Sequence, residues 1–536
     1  MAPSATPRII PRSDHTVSRS HISPNALRVL YKLRDAGFMA FLVGGCVRDL
    51  LLGIEPKDFD VATDALPEQV KKLFRNCRLV GRRFRLAHVF FGRETIEVAT
   101  FRAASAPSQG EEPLPDADPA DGEAPELDEL DVLSAEADGD VEDDADGDDD
   151  DADLSSDDDA DDGRAAAQND SRDTGRNLAR AASREPSRSA GIAARSGVSD
   201  PGAFDSERVM DETGRIIRDN VYGTIDADVW RRDFTCNALY YNIADFSLWD
   251  YVGGKEDVAA RVLKLIGDPE TRFREDPVRM LRAARFEAKL SFEIDAATAE
   301  PIGRLGELLG GVPPARLFDE TLKLFLTGHG ARSFGVLRRR GLLASLLPTV
   351  AAYFESHPDS LVEKLLLRGL ANTDARVMAD KPVTPTFLFA LLLYGPIAGI
   401  IESTPPERWH ELGTILDACD RAARQAQTHV AIPKRFTLGV REMFALQPRL
   451  EHPRGRRALR VLEHPRFRAA YDLLLLRADF GLASPDMAKW WTRVQEVSPE
   501  ERGRMVDSLT GQVQRTEGPR RGGRRRRRRR HSSGAA

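Results

Sequence analysis

The chain has 536 residues, of which 30% are charged, and a formal net charge of −8 at pH 7. This length predicts about two to four domains, or fewer domains with disordered segments between them. Four widely separated cysteines without a Cys-x-x-Cys pair exclude a disulfide framework and a zinc ribbon, and they indicate a reducing compartment. The N-terminus has no apolar signal segment, and the longest apolar run, residues 387–401, contains Pro396 and is too short to span a bilayer. The composition therefore predicts a soluble, cytoplasmic protein without a membrane span.

Acidic and basic residues are distributed unevenly along the chain. Between Glu111 and Asp162 there are 27 acidic residues and no Lys or Arg, whereas Arg524–Arg530 is an unbroken arginine run. Without the acidic stretch the chain is strongly basic, which predicts a polyanionic partner. Three segments lack the apolar residues of a core: we predict a disordered leader (1–22), an acidic low-complexity insertion (103–207) and an Arg-rich disordered tail (511–536).

Residues 23–102 alternate between helical and extended patterns. Ser23-Pro24 predicts a helix start, and the apolar run 38–43 predicts a strand that ends at a glycine pair. The predicted elements that follow are a short helix over 47–52, a strand at 58–61, a helix over 66–74, and a hairpin of strands 88–91 and 95–101. With residues 208–268, these elements predict an α+β head with a small mixed sheet and two aspartates on an inner strand.

Glycines and acidic residues meet in residues 43–60. Gly44 and Gly45 let backbone N–H groups approach a polyphosphate without a Cβ in the way, and Arg48 is placed to reach the same phosphates. Asp58 and Asp60 are two residues apart in a strand, so both project from one face. Two carboxylates on one edge suit one or two Mg²⁺ ions, whereas the alternative is a loop with two surface aspartates.

Two other charged motifs flank the predicted sheet. The segment 81–85 holds three arginines just before the hairpin, either as a solvated loop or as a contact for triphosphate or a primer backbone. Arg231-Arg232-Asp233 precedes a strand predicted at 238–242. Such a triplet alone is more often a surface ion pair than a site, but here it accompanies the predicted metal site.

From residue 269 onward the pattern is helical. Glu275, Asp276 and Arg279 lie at the start of a helix, where Asp276 and Arg279 share a face. One interpretation is a capping acid with a surface ion pair. The other is adenine selection, in which Asp276 accepts a hydrogen bond from the amino group and Arg279 donates one to the ring.

Basic and aromatic residues are interleaved in the C-terminal helices. Between Pro433 and Ala469 there are ten Lys or Arg, with Phe436, Phe444 and Phe467 among them. This pattern suits single-stranded RNA through phosphate contacts and stacking, although the aromatic residues fit a helix core equally well. The predicted RNA ligands are Lys434, Arg435, Arg456, Arg457, Arg466 and Arg468.

These stretches resemble the bacterial poly(A) polymerase family, within the class II nucleotidyltransferase superfamily that it shares with the tRNA CCA-adding enzymes. The resemblance covers about residues 23–103 and 218–327. It rests on LVGGCVRDLLLG, KDFDVATDA, GRRFRLAHV, TIEVATFR, NVYGTIDADVWRRDFTCNALYYN, DYVGGKEDV, LIGDPETRFREDPVRMLRAARFEAKL and PPARLFDETLKLF. IPKRF and LEHPRFRAAYDLLLLRA are similar to the family's C-terminal part.

The resemblance implies a palm-like head (23–102 and 208–268), a helical neck that selects the nucleotide (269–330) and a helical, RNA-binding body (331–510). It implies Mg²⁺-dependent, template-independent transfer of AMP from ATP to RNA 3′ ends. Asp58 and Asp60 would hold the metals and Asp233 would be the third catalytic acid, with Glu97 on a neighbouring strand as the physical alternative. The residues implied to bind ATP are Gly44, Gly45, Arg48, Arg232, Glu275, Asp276 and Arg279.

Two other functions stay open at this point. CCA addition to tRNA uses the same head motifs, and a non-catalytic RNA-binding protein would need neither carboxylate of the Asp58/Asp60 pair. The expected partners are ATP, single-stranded RNA 3′ ends and RNA-decay or RNA-chaperone proteins, and the expected oligomeric state is a monomer.

Overall fold

The computed structural model describes residues 6–81, 85–103, 208–210, 216–219, 222–453 and 455–516. The predictions for the basic loop at 81–85 and for the acidic insertion concern residues that lie largely outside this description. Most of the predicted Arg-rich tail also lies outside it, although its first residues belong to a helix that continues to Thr516.

Twelve strands are present in the described residues. They are β1 (Arg8–Ile10), β2 (Ala40–Val43), β3 (Asp60–Thr63), β4 (Cys77–Val80), β5 (Leu86–Phe91), β6 (Glu94–Thr100), β7 (Arg208–Met210), β8 (Ile216–Asp219), β9 (Leu239–Asn242), β10 (Leu248–Asp250), β11 (Val262–Leu263) and β12 (Glu293–Ile294). Eight of them form one mixed sheet in the order β1-β10-β9-β2-β3-β6-β5-β4. Within this sheet β3 and β6 are parallel and every other neighbouring pair is antiparallel. The α+β prediction and the inner position of the Asp60 strand are confirmed.

Five helices accompany the sheet: α1 (Pro24–Asp35), α2 (Gly45–Leu51), α3 (Pro67–Leu73), α4 (Ile225–Val229) and α5 (Gly254–Ala260). The first begins as predicted, because the Ser23 hydroxyl accepts a hydrogen bond from the Asn25 N–H and Pro24 occupies the first turn. Its buried residues recur at helical spacing and pack on β2, β3 and β6.

The predicted disordered leader is wrong for its described part. Residues Arg8–Ile10 form an edge strand that pairs with β10, and both Val17 and Ile22 are buried in the core. A three-residue edge strand between prolines has no periodicity, and its partner lies about 240 residues away in sequence. The prediction therefore failed because nothing local marks this strand.

The two ends of the insertion meet at one point of the head. Arg102 and Tyr222 form a β-bridge, and the Gly223 N–H donates to the Phe101 carbonyl at 2.9 Å. A Cβ on Gly223 would lie 2.6 Å from the Ala103 backbone, so glycine is required for this approach. The head is consequently continuous across the break in its sequence.

The rest of the described chain is helical. Its α-helices are α6 (Pro269–Glu275), α7 (Val278–Leu290), α8 (Ala296–Leu305), α9 (Pro314–Phe325), α10 (Gly330–Arg339), α11 (Leu342–Leu346), α12 (Pro348–Ser356), α13 (Leu361–Met378), α14 (Pro385–Leu392), α15 (Tyr394–Glu402), α16 (Leu412–Gln427), α17 (Lys434–Glu451), α18 (Leu459–Leu462), α19 (Phe467–Asp479), α20 (Pro485–Glu496) and α21 (Pro499–Thr516). One apolar core runs from the sheet through α7 and α9 into this region.

The apolar run 387–401 falls in α14 and α15. No single helix among the described residues is long and apolar enough to cross a membrane. Together, α14 and α15 reach the length and composition of a membrane span, but they are bent by 42° relative to each other. Residues 388–393 are almost fully buried within the helical region.

Candidate active site

A two-glycine turn joins β2 to α2 beside Asp60. Gly44 has φ +82° and ψ −139°, a backbone conformation that is almost restricted to glycine. A Cβ built there would lie 3.6 Å from Asp60 Oδ2 and 3.9 Å from Arg232 Nη1. Bare backbone therefore faces a carboxylate and a guanidinium, and a side chain at this position would narrow the space between them.

Three carboxylates come together at one edge of the sheet. Asp60 opens β3 and is the register partner of Glu97 on the parallel strand β6. Asp58 precedes the strand and is exposed, so the predicted placement of both aspartates on the strand is wrong for Asp58. Burial and the charge of Glu97 raise the pKa of Asp60 to about 6; Arg232 lowers it and Asp58 raises it further. Carboxylates that repel one another in this way fit a divalent cation, which would relieve the repulsion with the hard oxygen ligands it prefers.

A histidine extends this row of side chains across the sheet. His88 on β5 is the register partner of Glu97, and its Nε2 lies 3.7 Å from Glu97 Oε1. Within the described ranges, no three His, Cys, Asp or Glu side chains are already arranged as a metal cage. A cation at these carboxylates would therefore also take oxygen ligands from substrate or water.

Arg232 is fixed next to the carboxylates by a buried polar network. Its Nε and Nη2 donate to Asp228 Oδ2 at 3.1 and 3.0 Å, and Nε also donates to the Tyr240 hydroxyl at 2.8 Å. The same Asp228 oxygen accepts a hydrogen bond from Tyr240. These contacts leave Arg232 Nη1 on the side of Gly44, so the predicted nucleotide ligand lies beside the predicted metal ligands.

Arg48 does not face this space, so its predicted direct contact with phosphate is wrong. Only 2% of the residue is exposed; its guanidinium pairs with Asp49 and donates to Asn237 Oδ1 at 2.5 Å. It also lies against the Phe286 ring, and a Cβ on Gly45 would lie 3.4 Å from Arg48 Nη2. Arg48 therefore packs against the buried side of the glycine turn, where it is held by its hydrogen bond to Asn237, a residue far away in sequence.

The carboxylate of Asp233 is paired with Arg282 of the neck. Its Oδ2 accepts hydrogen bonds from Arg282 Nε at 2.9 Å and Nη2 at 2.5 Å, and Oδ1 accepts from the Phe234 N–H and from Asn237. Burial opposes ionisation, but these donors lower the pKa of Asp233 to about 2. Asp233 thus joins α7 to the head, whereas Glu97 is the acid paired in register with Asp60.

The predicted base-selecting residues form two ion pairs at the start of α7. Asp276 accepts from Arg316 Nη1 and Nη2 at 2.9 and 2.7 Å, which holds the pKa of Asp276 below its usual value although burial opposes this. Arg279 donates to Glu275 Oε2 at 3.1 Å. The structure therefore brings Glu275, Asp276 and Arg279 together as predicted, and adds Arg316 from α9.

Comparison with known proteins identifies the family. A model of the poly A polymerase head domain matches residues 40–128 and 148–264, one described as the probable RNA and SrmB-binding site of polymerase A matches 291–354, and one of the polymerase A arginine-rich C-terminus matches 407–532. Poly(A) polymerase I of Escherichia coli O157:H7 is 41% identical over 96% of this chain and 92% of its own length. The chain belongs to the bacterial poly(A) polymerase family.

Other members and neighbours are more distant. Poly(A) polymerase I of Haemophilus influenzae is 37% identical over 93% of this chain and 90% of its own length. A CCA-adding enzyme of Lactobacillus helveticus is 26% identical over 58% of this chain and 52% of its own length. Among solved structures, an apo tRNA-processing enzyme aligns over 93% of this chain and 99% of its own, with 16% identity and a TM-score of 0.49. Because the poly(A) polymerases match at 37–41% identity over nearly the whole chain, it is a nucleotidyltransferase enzyme of their family rather than a non-catalytic RNA-binding protein.

The predicted RNA ligands lie in the part that matches the arginine-rich C-terminus of polymerase A. Lys434 and Arg435 are exposed at the start of α17, Arg457 is exposed, and Arg466 and Arg468 contact Glu442 and Asp472 at the start of α19. The side chain of Arg456 lies outside the described residues.

The aromatic residues between these cations belong to the core. Phe436 stacks on Phe318, and Phe444, Phe467 and Tyr471 are all buried. The core interpretation is therefore correct for these aromatics, and any RNA contact by this surface has to use its cations.

Three functional neighbours were missed in the sequence: Asp228, Asn237 and the Asp233 partner Arg282. The spacing of Asp228 and Arg232 is i, i+4, a helical pairing that could have been recognised. Asn237 and Arg282 meet their partners through tertiary contacts, for which the sequence offers no local pattern.

Proposed function

We propose that the chain adds AMP from ATP to RNA 3′ ends without a template, with Asp58, Asp60 and Glu97 as the metal ligands. The observation that carries this assignment is the register of Asp60 opposite Glu97, beside the bare backbone of Gly44. In the reaction the RNA 3′-oxygen bonds to the α-phosphorus of ATP, its proton leaves to solvent, and the bond to pyrophosphate breaks. Mg²⁺ bound at these carboxylates would neutralise triphosphate charge and lower the pKa of the attacking hydroxyl.

The choice of Glu97 as the third acid is supported by electrostatics. Burial raises the pKa of Asp60 most, and the charge of Glu97 is the next largest cause. Asp233 has its negative charge compensated by two hydrogen bonds from Arg282. An acid whose charge is already compensated by an arginine gains little by binding a cation, whereas clustered acids that repel one another gain more.

The nucleotide would lie between the glycine turn and α7. Gly44 and Gly45 present backbone to the triphosphate, and Arg232 supplies a fixed positive charge whose orientation is set by Asp228 and Tyr240. Arg272 of α6 donates to the carbonyls of residues 231 and 232, and its own carbonyl accepts a hydrogen bond from Arg279, so α6 links the start of α7 to this strand entry. Arg279 and Asp276 would then read the adenine edge, with their geometry set by Glu275 and Arg316.

RNA would be held by the helical region through charge. Lys434, Arg435, Arg457 and the cations at the start of α19 supply exposed positive groups, which bind phosphates without reading sequence. A cytoplasmic location, a monomeric state and RNA-decay or RNA-chaperone partners stay proposals that follow from the sequence alone.

The deciding experiment supplies purified protein with ATP and CTP, on an unstructured RNA and on a tRNA that lacks its CCA end. We expect repeated AMP incorporation on the unstructured RNA and no ordered addition to the tRNA. Addition of two cytidines and one adenosine to the tRNA would support the CCA-adding alternative and contradict the proposal. Asp60→Asn serves as the inactive control.

A further inference from the structure

Two lysines next to Asp58 have no role in the site described above. Lys57 directly precedes Asp58 and is exposed, and Lys289 lies in the last turn of α7 and is also exposed. Neither forms a hydrogen bond or an ion pair with a described residue. Both cations are therefore open to an external anion.

The contacts of α7 with the head determine the position of Lys289. α7 runs past the head, with Arg282 paired to Asp233 and Phe286 against Arg48, so Lys289 comes one turn beyond Phe286. At the end of α7, Arg332 of α10 donates to Ser291 Oγ at 2.6 Å and contacts His329 Nδ1 at 2.8 Å. Lys289 of the neck and Arg332 of α10 thus lie at the same end of α7.

Electrostatics support this proximity. Desolvation by the surrounding protein lowers the pKa of Lys289, and the charge of Arg48 lowers it further, whereas Asp49 and Asp58 raise it. Desolvation likewise lowers the pKa of His329, and Arg332, Lys289 and Lys57 all add to that shift, opposed by Asp374. Cations that repel one another so close to an acidic centre are stabilised by a bound anion.

The position of the cluster indicates which anion it binds. The nucleotide-binding groups lie on the Asp60 side of the carboxylates and at the other end of α7, where Arg279 precedes Lys289 by ten residues, about 15 Å along the helix. Lys57 is instead the sequence neighbour of Asp58, and the charge of Asp58 raises the pKa of Lys289. A polymerase must hold its primer against the same carboxylates from the side opposite the nucleotide.

We propose that Lys57 and Lys289, with Arg332 behind them, bind the phosphodiester next to the 3′ end of the RNA primer. This primer clamp rests on the proposed function and deepens it, because it assigns the two sides of the Asp58/Asp60 pair to different substrates. Each ammonium binds the phosphate as a point charge, so the clamp holds the 3′-hydroxyl in place without reading the base.

The test combines protein variants with RNAs that lack one charge. The protein is Lys57→Met/Lys289→Met, which keeps the apolar stems, with Lys57→Arg/Lys289→Arg as the charge-retaining control and Lys72→Met as an exposed head lysine elsewhere. The RNAs are an oligoadenylate, the same oligoadenylate with an uncharged methylphosphonate at its last linkage, and one with the methylphosphonate several linkages upstream. KM for RNA and KM for ATP are measured for every combination.

We expect the wild-type KM for RNA to rise about 10- to 100-fold with the terminal methylphosphonate, as for loss of charge-assisted hydrogen bonds, and to change little with the upstream one. The Met/Met variant should show a raised KM on the natural RNA and no further loss on the terminal methylphosphonate. The Arg/Arg variant should recover most of the loss, and KM for ATP should change less than about twofold.

Three outcomes would overturn the inference while leaving the proposed function intact. If the Met/Met variant and the terminal methylphosphonate each raised KM for RNA and their effects multiplied when combined, the lysines would not contact that phosphate. A rise in KM for ATP instead of RNA would assign the cluster to the nucleotide, and an unchanged Met/Met variant would leave it without a role. A wild-type protein that incorporated no AMP on any RNA would overturn the proposed function itself.

Discussion

Glu97 and Asp233 are competing third carboxylates, and their amide variants separate them. In Asp233→Asn the half-buried Arg282 guanidinium loses its counter-ion, while the Phe234 N–H keeps an acceptor oxygen. In Glu97→Gln the row of acids loses a charge that raises the pKa of Asp60. We therefore expect Asp233→Asn to reduce mainly stability and Glu97→Gln to reduce mainly metal binding and turnover.

The size of the stability loss follows from the pKa of Asp233. Its folded value of about 2 against an ordinary 3.8 corresponds to about 2 kcal/mol at neutral pH, and the unpaired, half-buried arginine adds to this. We expect a loss of about 2–4 kcal/mol in the free energy of unfolding. Because the folded pKa is depressed, this contribution is present above about pH 4 and is lost as the pH falls through about 2.

The assay is urea unfolding in EDTA at pH 7 and at pH 3, combined with Mn²⁺ titration and AMP incorporation at varied Mg²⁺. The difference between wild type and Asp233→Asn should shrink at the lower pH. Glu97→Gln should unfold like wild type and lose metal affinity by more than the roughly 10- to 100-fold typical of an outer-shell partner. An Asp233→Asn protein with unchanged stability and lost Mn²⁺ binding would refute the reasoning and restore Asp233 as a ligand.

Three further variants test the remaining parts of the site. Asp60→Asn should raise the free energy of unfolding in EDTA by about 1–2 kcal/mol at pH 8, because the raised folded pKa of about 6 makes the ionised form costly. This gain should vanish near pH 4, where the acid is protonated. An equal gain at both pH values would contradict this cause. Gly44→Ala should lose about 1–2 kcal/mol of stability and raise KM for ATP, whereas Gly53→Ala, at φ +71° with open space around it, should lose stability alone; equal KM values for the two would show that Gly44 does not face the nucleotide. Arg316→Met should release Asp276 and reduce the preference for ATP over CTP by about 10-fold in a competition assay, and an unchanged preference would separate this ion pair from base selection.

The parts of the site that depend on local spacing could be predicted. Gly44-Gly45 after an apolar run, and Asp58 and Asp60 two residues apart, encode a turn and a strand edge within a few residues. The register of Asp60 with Glu97 could not be derived this way. It is set by a parallel pairing of β3 and β6 across an intervening helix and two strands.

The failed predictions share one physical cause. Arg48 looked like a phosphate ligand because arginine beside a glycine turn is commonly exposed, but Asn237 and Phe286 enclose it from distant parts of the chain. The partner of Asp233 was not predicted either, because Arg282 is 49 residues away. A charged side chain's role depends on its partner, and long-range partners leave no periodic pattern in the sequence.

The helix α7 connects these observations, because it contacts the head and carries residues of both proposed substrate sites. Its first turn carries Arg279, one of the proposed base-selecting residues, Arg282 in its middle pairs with Asp233, and Lys289 lies in its last turn. A 13-residue helix is about 20 Å long and does not shorten, so the distance between base selection and primer clamp is constant. Since the Arg282–Asp233 pair ties this helix to the strand entry beside Arg232, we expect the two ends of α7 to keep their positions relative to the metal ligands.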